Sequence, residues 1–142
     1  LRAIAGDPKI PKVFDNYYGT AEQAVREQLA AGTDVVLEID WQGARQVRAR
    51  FPQAVSVFIA PPTIAALRER LSGRGQDDES VIARRMRDAQ SELSHHGEYD
   101  YLLINDDFEA CLADRAAVVR AERLRQRRQA VWRADELAAM LG

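Results

Sequence analysis

The sequence VVLEIDWQG, residues 35–43, decides the fold class. A short apolar run of this kind is typical of a buried strand in a parallel sheet. Because side chains alternate along an extended chain, Glu38 and Asp40 are expected to face one side and Ile39 the other. The stretch therefore predicts two carboxylates at the carboxyl end of a strand, the edge at which open α/β sheets bind ligands.

Three interpretations of these carboxylates remain open from the residues alone. The pair Glu38 and Asp40 is suited to accept hydrogen bonds from a purine. It is equally suited to a hydrated Mg²⁺ ion, which needs only one or two carboxylates together with substrate phosphates. The alternative is an exposed acidic strand end without a ligand.

Apolar runs at residues 35–39, 55–60 and 101–104 predict three strands of a mostly parallel sheet. Helical patterns fall between and after them, with Thr20 as the cap of the first helix and Gly32 as its end. The predicted helices cover residues 20–31, 42–50, 62–71, 79–95, 107–128 and 134–141. Alternating strands and helices predict a doubly wound α/β fold, and 142 residues suit one domain.

The composition is that of an ordinary globular domain. Hydrophobic residues make up 46% and charged residues 30% of the chain, which excludes wholesale disorder and a membrane span. The net charge of −2 argues against a nucleic-acid interface over the whole surface. An arginine-rich stretch at residues 120–133 is interpreted as the solvated face of an amphipathic helix that buries Leu124 and Val131, with an RNA-binding face as the alternative.

The cysteine and histidine residues are not predicted to form a site. The single cysteine, Cys111, cannot form an internal disulfide, and no secretory leader pattern opens the sequence, so a cytoplasmic location is predicted. Cys111 is interpreted as a small core residue within a helix. His95 and His96 are interpreted as helix-end residues, because no further histidine or cysteine cluster is available to complete a metal centre.

Arginines surround the flexible segment GRGQDD at residues 73–78. Arg70 precedes the segment, Arg74 lies between its two glycines, and Arg85 lies on the helix that follows. Such an arrangement predicts a lid over residues 70–85 that brings guanidinium groups onto a phosphate, as phosphoryl transfer requires. The alternative is a solvated helical hairpin whose arginines pair with the acidic residues of the turn.

The segment NYYGT contributes a second cluster, with Tyr18, Gly19 and Thr20 at the start of the first predicted helix. Hydroxyl groups at a helix N-terminus are suited to bind phosphate. A turn with packed tyrosines is the alternative.

The third predicted strand ends in the sequence NDD. Asn105 could read the edge of a base, while Asp106 or Asp107 could cap the next helix. Capping of the next helix by Asp106 or Asp107 is expected whether or not Asn105 reads a base.

Taken together, FDNYYGT, VVLEIDWQGARQVR, FIAPP, RLSGRGQDDES, SELSHHGEYDY and INDDF resemble guanylate kinase, in the order and spacing of that family, from about residue 13 onward. The resemblance implies a P-loop kinase-like parallel core with flanking helices and a helical lid. It also implies phosphoryl transfer from ATP to GMP, giving ADP and GDP, with Mg²⁺ as cofactor and a lid that closes to exclude water. The implied partners are ATP and GMP, without nucleic acid or membrane, and homo-oligomer formation is left open.

On the GMP side, the resemblance assigns Tyr18 and Thr20 to the phosphate of GMP and includes Gly19 among the GMP-binding residues. It places Glu38 and Asp40 beside the guanine and the Mg²⁺-bound phosphate region. No residue is assigned as a direct metal ligand, and Asp40 is expected to act through a water molecule.

On the ATP side, the resemblance assigns Arg70, Arg74 and Arg85 to the migrating phosphoryl group. Arg74 is also placed near the adenine. Asn105 matches the position that helps to hold the adenine.

The sequence departs from the family in one large respect. It contains no G-x-x-x-x-G-K-[ST] loop and no S-x-T-T-R-x-P-R segment. Residues 1–10 resemble the helix that follows the P-loop, so we predict a join near residues 10–12 and a single incomplete guanylate kinase domain over residues 1–142. These residues alone are predicted to be inactive toward ATP, and the alternative function is a catalytically inactive guanylate-kinase-like binding module.

Overall fold

Strands and helices alternate in the structure, a computed structural model that describes residues 2–3, 18–72 and 78–142. The chain divides into two compact units, Leu1–Val55 and Ser56–Gly142. The α/β class with parallel strand pairing is confirmed. That the units form one domain stays a prediction.

The first unit contains β1 (Arg2–Ala3), α1 (Tyr18–Ala30), β2 (Val36–Leu37) and α2 (Trp41–Arg50). The second contains β3 (Val57–Ala60), α3 (Ile64–Ser72), α4 (Glu79–Ser94), a short 3-10 helix (His96–Glu98), β4 (Tyr101–Ile104), α5 (Phe108–Arg123), α6 (Gln126–Trp132) and α7 (Ala134–Leu141). His95 ends α4 and His96 begins the 3-10 helix, which confirms their interpretation as helix-end residues.

Strand β1 pairs in parallel with β2, with Arg2 beside Val36 and Ala3 beside Leu37. The helix expected over residues 1–10 is therefore wrong at Arg2 and Ala3, which form a strand. Pairing with β2 satisfies the backbone groups of these two residues in an extended conformation. Residues 4–17, which include the predicted join, lie outside the described residues.

Helix α1 begins at Tyr18, so the prediction of Thr20 as its cap is wrong. Helical backbone extends two residues further, which places Thr20 inside the first turn. The predicted end is confirmed: Gly32 has φ 77°, and the N–H of Thr33 donates to the carbonyl of Gln28 at 2.9 Å. Glycine adopts this left-handed conformation without the steric penalty of a Cβ atom, which is why the helix stops there.

A charged network joins α1 to the last turn of α2. The carboxylate of Glu22 accepts hydrogen bonds from Arg26 at 2.7 Å and from Arg50 at 3.1 Å. The hydrogen bond from Arg26 has the largest effect on the pKa of Glu22. Together with the bond from Arg50, it holds that pKa below its usual value. The Arg26 guanidinium also lies over the ring of Phe51, 4.7 Å from its centroid. The two helices are thereby held together at this end of the first unit.

In the second unit, β3 and β4 pair in parallel, and polar bonds secure both ends of the pair. At the amino end, Asp100 accepts hydrogen bonds from the backbone N–H and the hydroxyl of Ser56, both at 2.8 Å. At the carboxyl end, the N–H of Asn105 donates to the carbonyl of Ala60 at 2.8 Å. These bonds determine the register of the two strands and the position of Asn105.

The prediction that the apolar runs form buried strands is wrong at three places: Val36 of β2 is 56% exposed, Ile59 of β3 is 45% exposed, and one face of β4 is open. Phe58 and Ala60 are only 8% and 6% exposed, whereas their partners in register, Leu102 and Ile104, are 49% and 51% exposed. An apolar run shows that a strand is suited to burial but does not specify which neighbours will cover it. In the described part of the chain, this face is covered over β3 and open over β4.

The prediction of a single helix over residues 107–128 is wrong, because the structure has two helices here, α5 and α6. Leu124 is the C-cap of α5 and Val131 lies in α6, and both are exposed, so the prediction that they are buried is wrong. Two local predictions in this region are confirmed. Asp107 caps α5 by accepting the N–H of Ala110 at 2.8 Å, and Cys111 is buried.

Glu122, in the last turn of α5, is only 4% exposed and is the one buried charged residue among those described. Its Oε1 accepts the hydroxyl of Tyr101 at 2.8 Å and the Nε–H of Arg125 at 2.9 Å. Burial raises the pKa of Glu122, but the hydrogen bonds from Tyr101 and Arg125 outweigh burial and leave the pKa below its usual value. The carboxylate therefore joins the start of β4 to the end of α5.

We expect Glu122→Gln to lower the free energy of unfolding by about 1–3 kcal/mol at neutral pH, because it removes the charge and leaves a buried amide group poorly paired. The folded pKa of Glu122 lies below the reference value of 4.5, so its stabilising contribution is complete above that pH. It is lost as the pH falls through the folded pKa. Urea denaturation at pH 7 and at successive values below 4.5 measures the difference between the two proteins.

The difference should narrow as the pH falls, since the variant lacks this titrating group. Asp114→Asn, at an exposed position of the same helix, is the control and should change the free energy of unfolding little at any of these pH values. A gap between wild type and Glu122→Gln that stays constant with pH would show that the carboxylate charge contributes nothing.

Candidate functional site

Two acidic residues, Glu38 and Asp40, follow β2 within three residues. Glu38 and Asp40 are exposed, while Ile39 between them is half-buried. This alternation agrees with the geometry expected from the sequence. Both carboxylates are accessible to a ligand of the first unit.

Asp40 also has a role in the fold that sequence reasoning missed. It is the N-cap of α2, and its Oδ1 accepts the backbone N–H of Gly43 at 2.7 Å. An aspartate just before a helical pattern is a recognised capping signal, and it was available in the sequence. The cap fixes the orientation of the carboxylate and leaves its second oxygen able to accept a hydrogen bond from a ligand.

A close approach explains the glycine at position 43. A Cβ atom there would lie 3.1 Å from Oδ1 of Asp40 and 3.2 Å from Cβ of Ile39. Such distances are shorter than ordinary van der Waals contacts, so a side chain would push against both residues. Gly43 therefore allows the Asp40 carboxylate to lie over the first turn of α2.

In the second unit, the structure brings two of the predicted site residues into contact. Arg70, in the last turn of α3, donates from Nη2 to the backbone carbonyl of Asn105 at 2.9 Å. Asn105 immediately follows β4 and is held to β3 through the carbonyl of Ala60. The guanidinium is thus located at the carboxyl end of a parallel strand pair, the edge that binds ligands in α/β folds.

The two helices that flank the predicted lid pack together and share an ion pair. Nη2 of Arg68 lies 2.5 Å from Oε1 of Glu79, which begins α4. Pairing with an acidic residue of the turn therefore occurs at Arg68, whereas Arg70 contacts a main-chain carbonyl. Arg85 is half-buried in the second turn of α4. Arg74 lies outside the described residues, and the lid itself stays a prediction.

Tyr18, Gly19 and Thr20 form the first turn of α1. The backbone N–H groups of a first helical turn have no partners within the helix and favour an anion. The backbone of this segment is therefore compatible with the phosphate contact that the sequence predicts.

Residues 2–3, 18–72 and 78–142 contain neither a cluster of metal ligands nor a helix that could span a membrane. No group of three or more histidine, cysteine, aspartate or glutamate side chains is placed to hold a metal ion. Within the same part of the chain, no helix combines the length and apolar character needed to cross a membrane.

Comparisons with known proteins point to a single family. The guanylate kinase family model matches residues 10–122. Guanylate kinase from Photobacterium profundum is 53% identical over 130 residues, which cover 92% of this chain and 62% of the relative. Guanylate kinase from Yersinia pestis is 57% identical over 118 residues, covering 83% of this chain and 57% of the relative.

Among solved structures, guanylate kinase from Anaplasma phagocytophilum superposes with a TM-score of 0.62 at 30% identity, covering 75% of this chain and 50% of that one. The present chain spans about three fifths of the length of the curated relatives it matches. A family match over most of the chain and more than half identity to these relatives lead to one conclusion: the chain belongs to the guanylate kinase family.

Proposed function

We propose that the complete protein is a guanylate kinase that transfers a phosphoryl group from ATP to GMP, giving ADP and GDP. The observation that carries the proposal is the family match over residues 10–122, since this range contains every residue assigned to the site. The exposed carboxylates after β2 and the guanidinium at the end of β4 support it. On this proposal the protein acts in purine nucleotide metabolism in the cytoplasm.

On the acceptor side, Glu38 and Asp40 bind GMP together with the start of α1. Glu38, as an exposed carboxylate, accepts hydrogen bonds from donors on the guanine. Tyr18, Gly19 and Thr20 contact the GMP phosphate, with the first-turn N–H groups of α1 adding favourable electrostatics.

On the donor side, Arg70, Arg74 and Arg85 neutralise charge on the migrating phosphoryl group. Planar guanidinium groups bind phosphate oxygens bidentately, which suits a reaction whose catalysis is mainly positioning and electrostatic stabilisation. Arg74 and Asn105 additionally hold the adenine of ATP. Closure of residues 70–85 over the nucleotides excludes water.

The residues present fit a Mg²⁺ ion held chiefly by nucleotide phosphates and water. Asp40 is exposed, and one of its carboxylate oxygens is held by the N–H of Gly43, so its other oxygen can bind a metal-coordinated water. When bound, the ion neutralises negative charge on the phosphates. Asp40 orients the water, and the arginines contact the phosphoryl oxygens directly.

Transfer from ATP also requires a phosphate-binding loop, which these 142 residues do not contain. We propose that the complete protein supplies this loop. The binding-module alternative is not favoured, because a protein that only binds peptides has no need for Arg70 and Arg85 together with Glu38 and Asp40.

The test is a coupled assay of ADP formation by the intact protein with ATP, Mg²⁺ and GMP. We expect turnover in the range typical of kinases, about 1–100 s⁻¹, and little ADP when AMP replaces GMP. Isothermal titration of GMP in parallel separates the two functions. Binding of GMP without ADP formation would contradict the enzyme and favour the binding module.

A further inference from the structure

We infer that Asn105 contributes to phosphoryl transfer through its main-chain carbonyl, which positions the guanidinium of Arg70 before the nucleotides bind. The inference rests on the proposed function and deepens it. The family resemblance assigns Asn105 to the adenine, whereas the contact in this structure joins its main-chain carbonyl to Arg70.

The contact is short and well placed. Nη2 of Arg70 lies 2.9 Å from the carbonyl oxygen of Asn105, within the range of an ordinary N–H···O hydrogen bond. A carbonyl that accepts a guanidinium proton forms a charge-assisted bond, which is stronger than a neutral one. The last turn of α3 is thereby tied to the carboxyl end of β4.

The acceptor itself is fixed by the sheet. The N–H of Asn105 donates to Ala60 of β3 at 2.8 Å, so this residue continues the strand ladder. At the opposite end, the bonds between Ser56 and Asp100 prevent a slip of register. A one-residue slip would move the carbonyl away from Arg70, so the register of the strands determines the position of the guanidinium.

The bond to Asn105 still allows Arg70 to bind phosphate. A guanidinium has five N–H donors, and this bond uses one of them, so a bidentate pair can still reach an oxyanion. Arg70 is exposed, and a free arginine at such a position samples many rotamers. Ordering the side chain in advance removes part of the entropy cost of binding the phosphoryl group.

The inference is tested in the intact protein with three variants. Arg70→Lys keeps the charge but cannot present a planar fork to the carbonyl and the phosphate together. Asn105→Ala keeps the carbonyl and removes the side chain. Arg87→Lys, at an exposed position of α4 with no part in the site, is the control. Hydrogen exchange of the residue 105 amide verifies that each variant keeps the strand pairing.

Two readouts are compared. The ¹⁵N order parameter of the Arg70 Nε–H, assigned by its loss in Arg70→Lys, should exceed about 0.6 in the unliganded wild type and remain so in Asn105→Ala. Steady-state kinetics should show kcat about 30-fold lower in Arg70→Lys, with the KM for GMP changed less than about threefold. Asn105→Ala should act mainly on the KM for ATP, and Arg87→Lys should match wild type.

An Arg70 order parameter below about 0.6 in the wild type would overturn the inference, since the guanidinium would not be positioned. A lower order parameter of Arg70 in Asn105→Ala would also overturn the inference, because it would show that the Asn105 side chain holds Arg70. A wild-type kcat in Arg70→Lys would show that phosphoryl transfer does not need the planar guanidinium of Arg70. If the wild type forms no GDP, the proposed function fails and the transfer step fails with it, while the order parameter still decides separately whether Asn105 positions Arg70.

Discussion

Arg85→Ala is expected to lower kcat by about three orders of magnitude and to change the KM for GMP by only a few fold. The reason is that an arginine contacting the migrating phosphoryl group stabilises charge that develops in the transition state. Arg85 lies in α4, the helix that follows the predicted lid, and is half-buried, so its side chain is more restricted than that of a surface arginine. Steady-state kinetics with ATP and GMP varied separately measure the effect.

The adjacent Arg84 provides a matched control, because it lies on the same helix, carries the same charge and is exposed. Arg84→Ala should keep kcat within about twofold of wild type, since exposed helix positions away from a site tolerate substitution. Thermal unfolding of both variants distinguishes a catalytic loss from a loss of fold. Equal kcat values for the two variants would remove Arg85 from the catalytic residues.

Asp40→Asn is expected to lower kcat/KM for GMP about 100-fold while leaving the free energy of unfolding almost unchanged. Asparagine caps a helix about as well as aspartate, so the bond to the N–H of Gly43 is retained while the charge is lost. A charged acceptor contributes more than a neutral one to hydrogen bonds with a water or nucleotide donor, and that difference accounts for the loss. Kinetics and urea denaturation on the same preparations measure both quantities.

Asp40→Ala should show the same catalytic loss and, in addition, a decrease of about 1 kcal/mol in the free energy of unfolding, because the cap is gone. Asp107→Asn is the control: Asp107 caps α5 in the same manner but is not assigned to the site, so activity and stability should both be retained. If Asp40→Asn has the kcat/KM of wild type, Asp40 acts only as a capping residue and the proposed contact with the Mg²⁺-bound phosphate region is wrong.

Several local features were predicted correctly from the sequence, although the cap at Thr20 was not. The bounds of α7 agree with the prediction, Gly32 ends α1, and Asp107 caps α5. Each depends on neighbours within a few residues, through backbone conformation or a side chain bonded to a nearby N–H. The cap at Asp40 follows the same rule and was missed only because the residue was assigned to a ligand.

Two features that depend on distant neighbours were not predicted. The open face at Leu102 and Ile104 depends on which elements cover β4, and an apolar run contains no such information. The break after α5 coincides with the burial of Glu122 beneath Tyr101, a residue at the start of β4. A helical pattern continues through this position, so only packing shows why the helix ends there.

The sequence by itself determined the family and the chemical types of the proposed site residues, because the strand-end carboxylates, the arginines around residues 73–78 and Asn105 occur in a fixed order along the chain. The tertiary structure alone decided how Arg70 and Asn105 meet. These residues are 35 positions apart, and the acceptor is a main-chain carbonyl that every residue possesses. Its location depends on the register of β3 and β4, so no pattern of side chains could have revealed the contact.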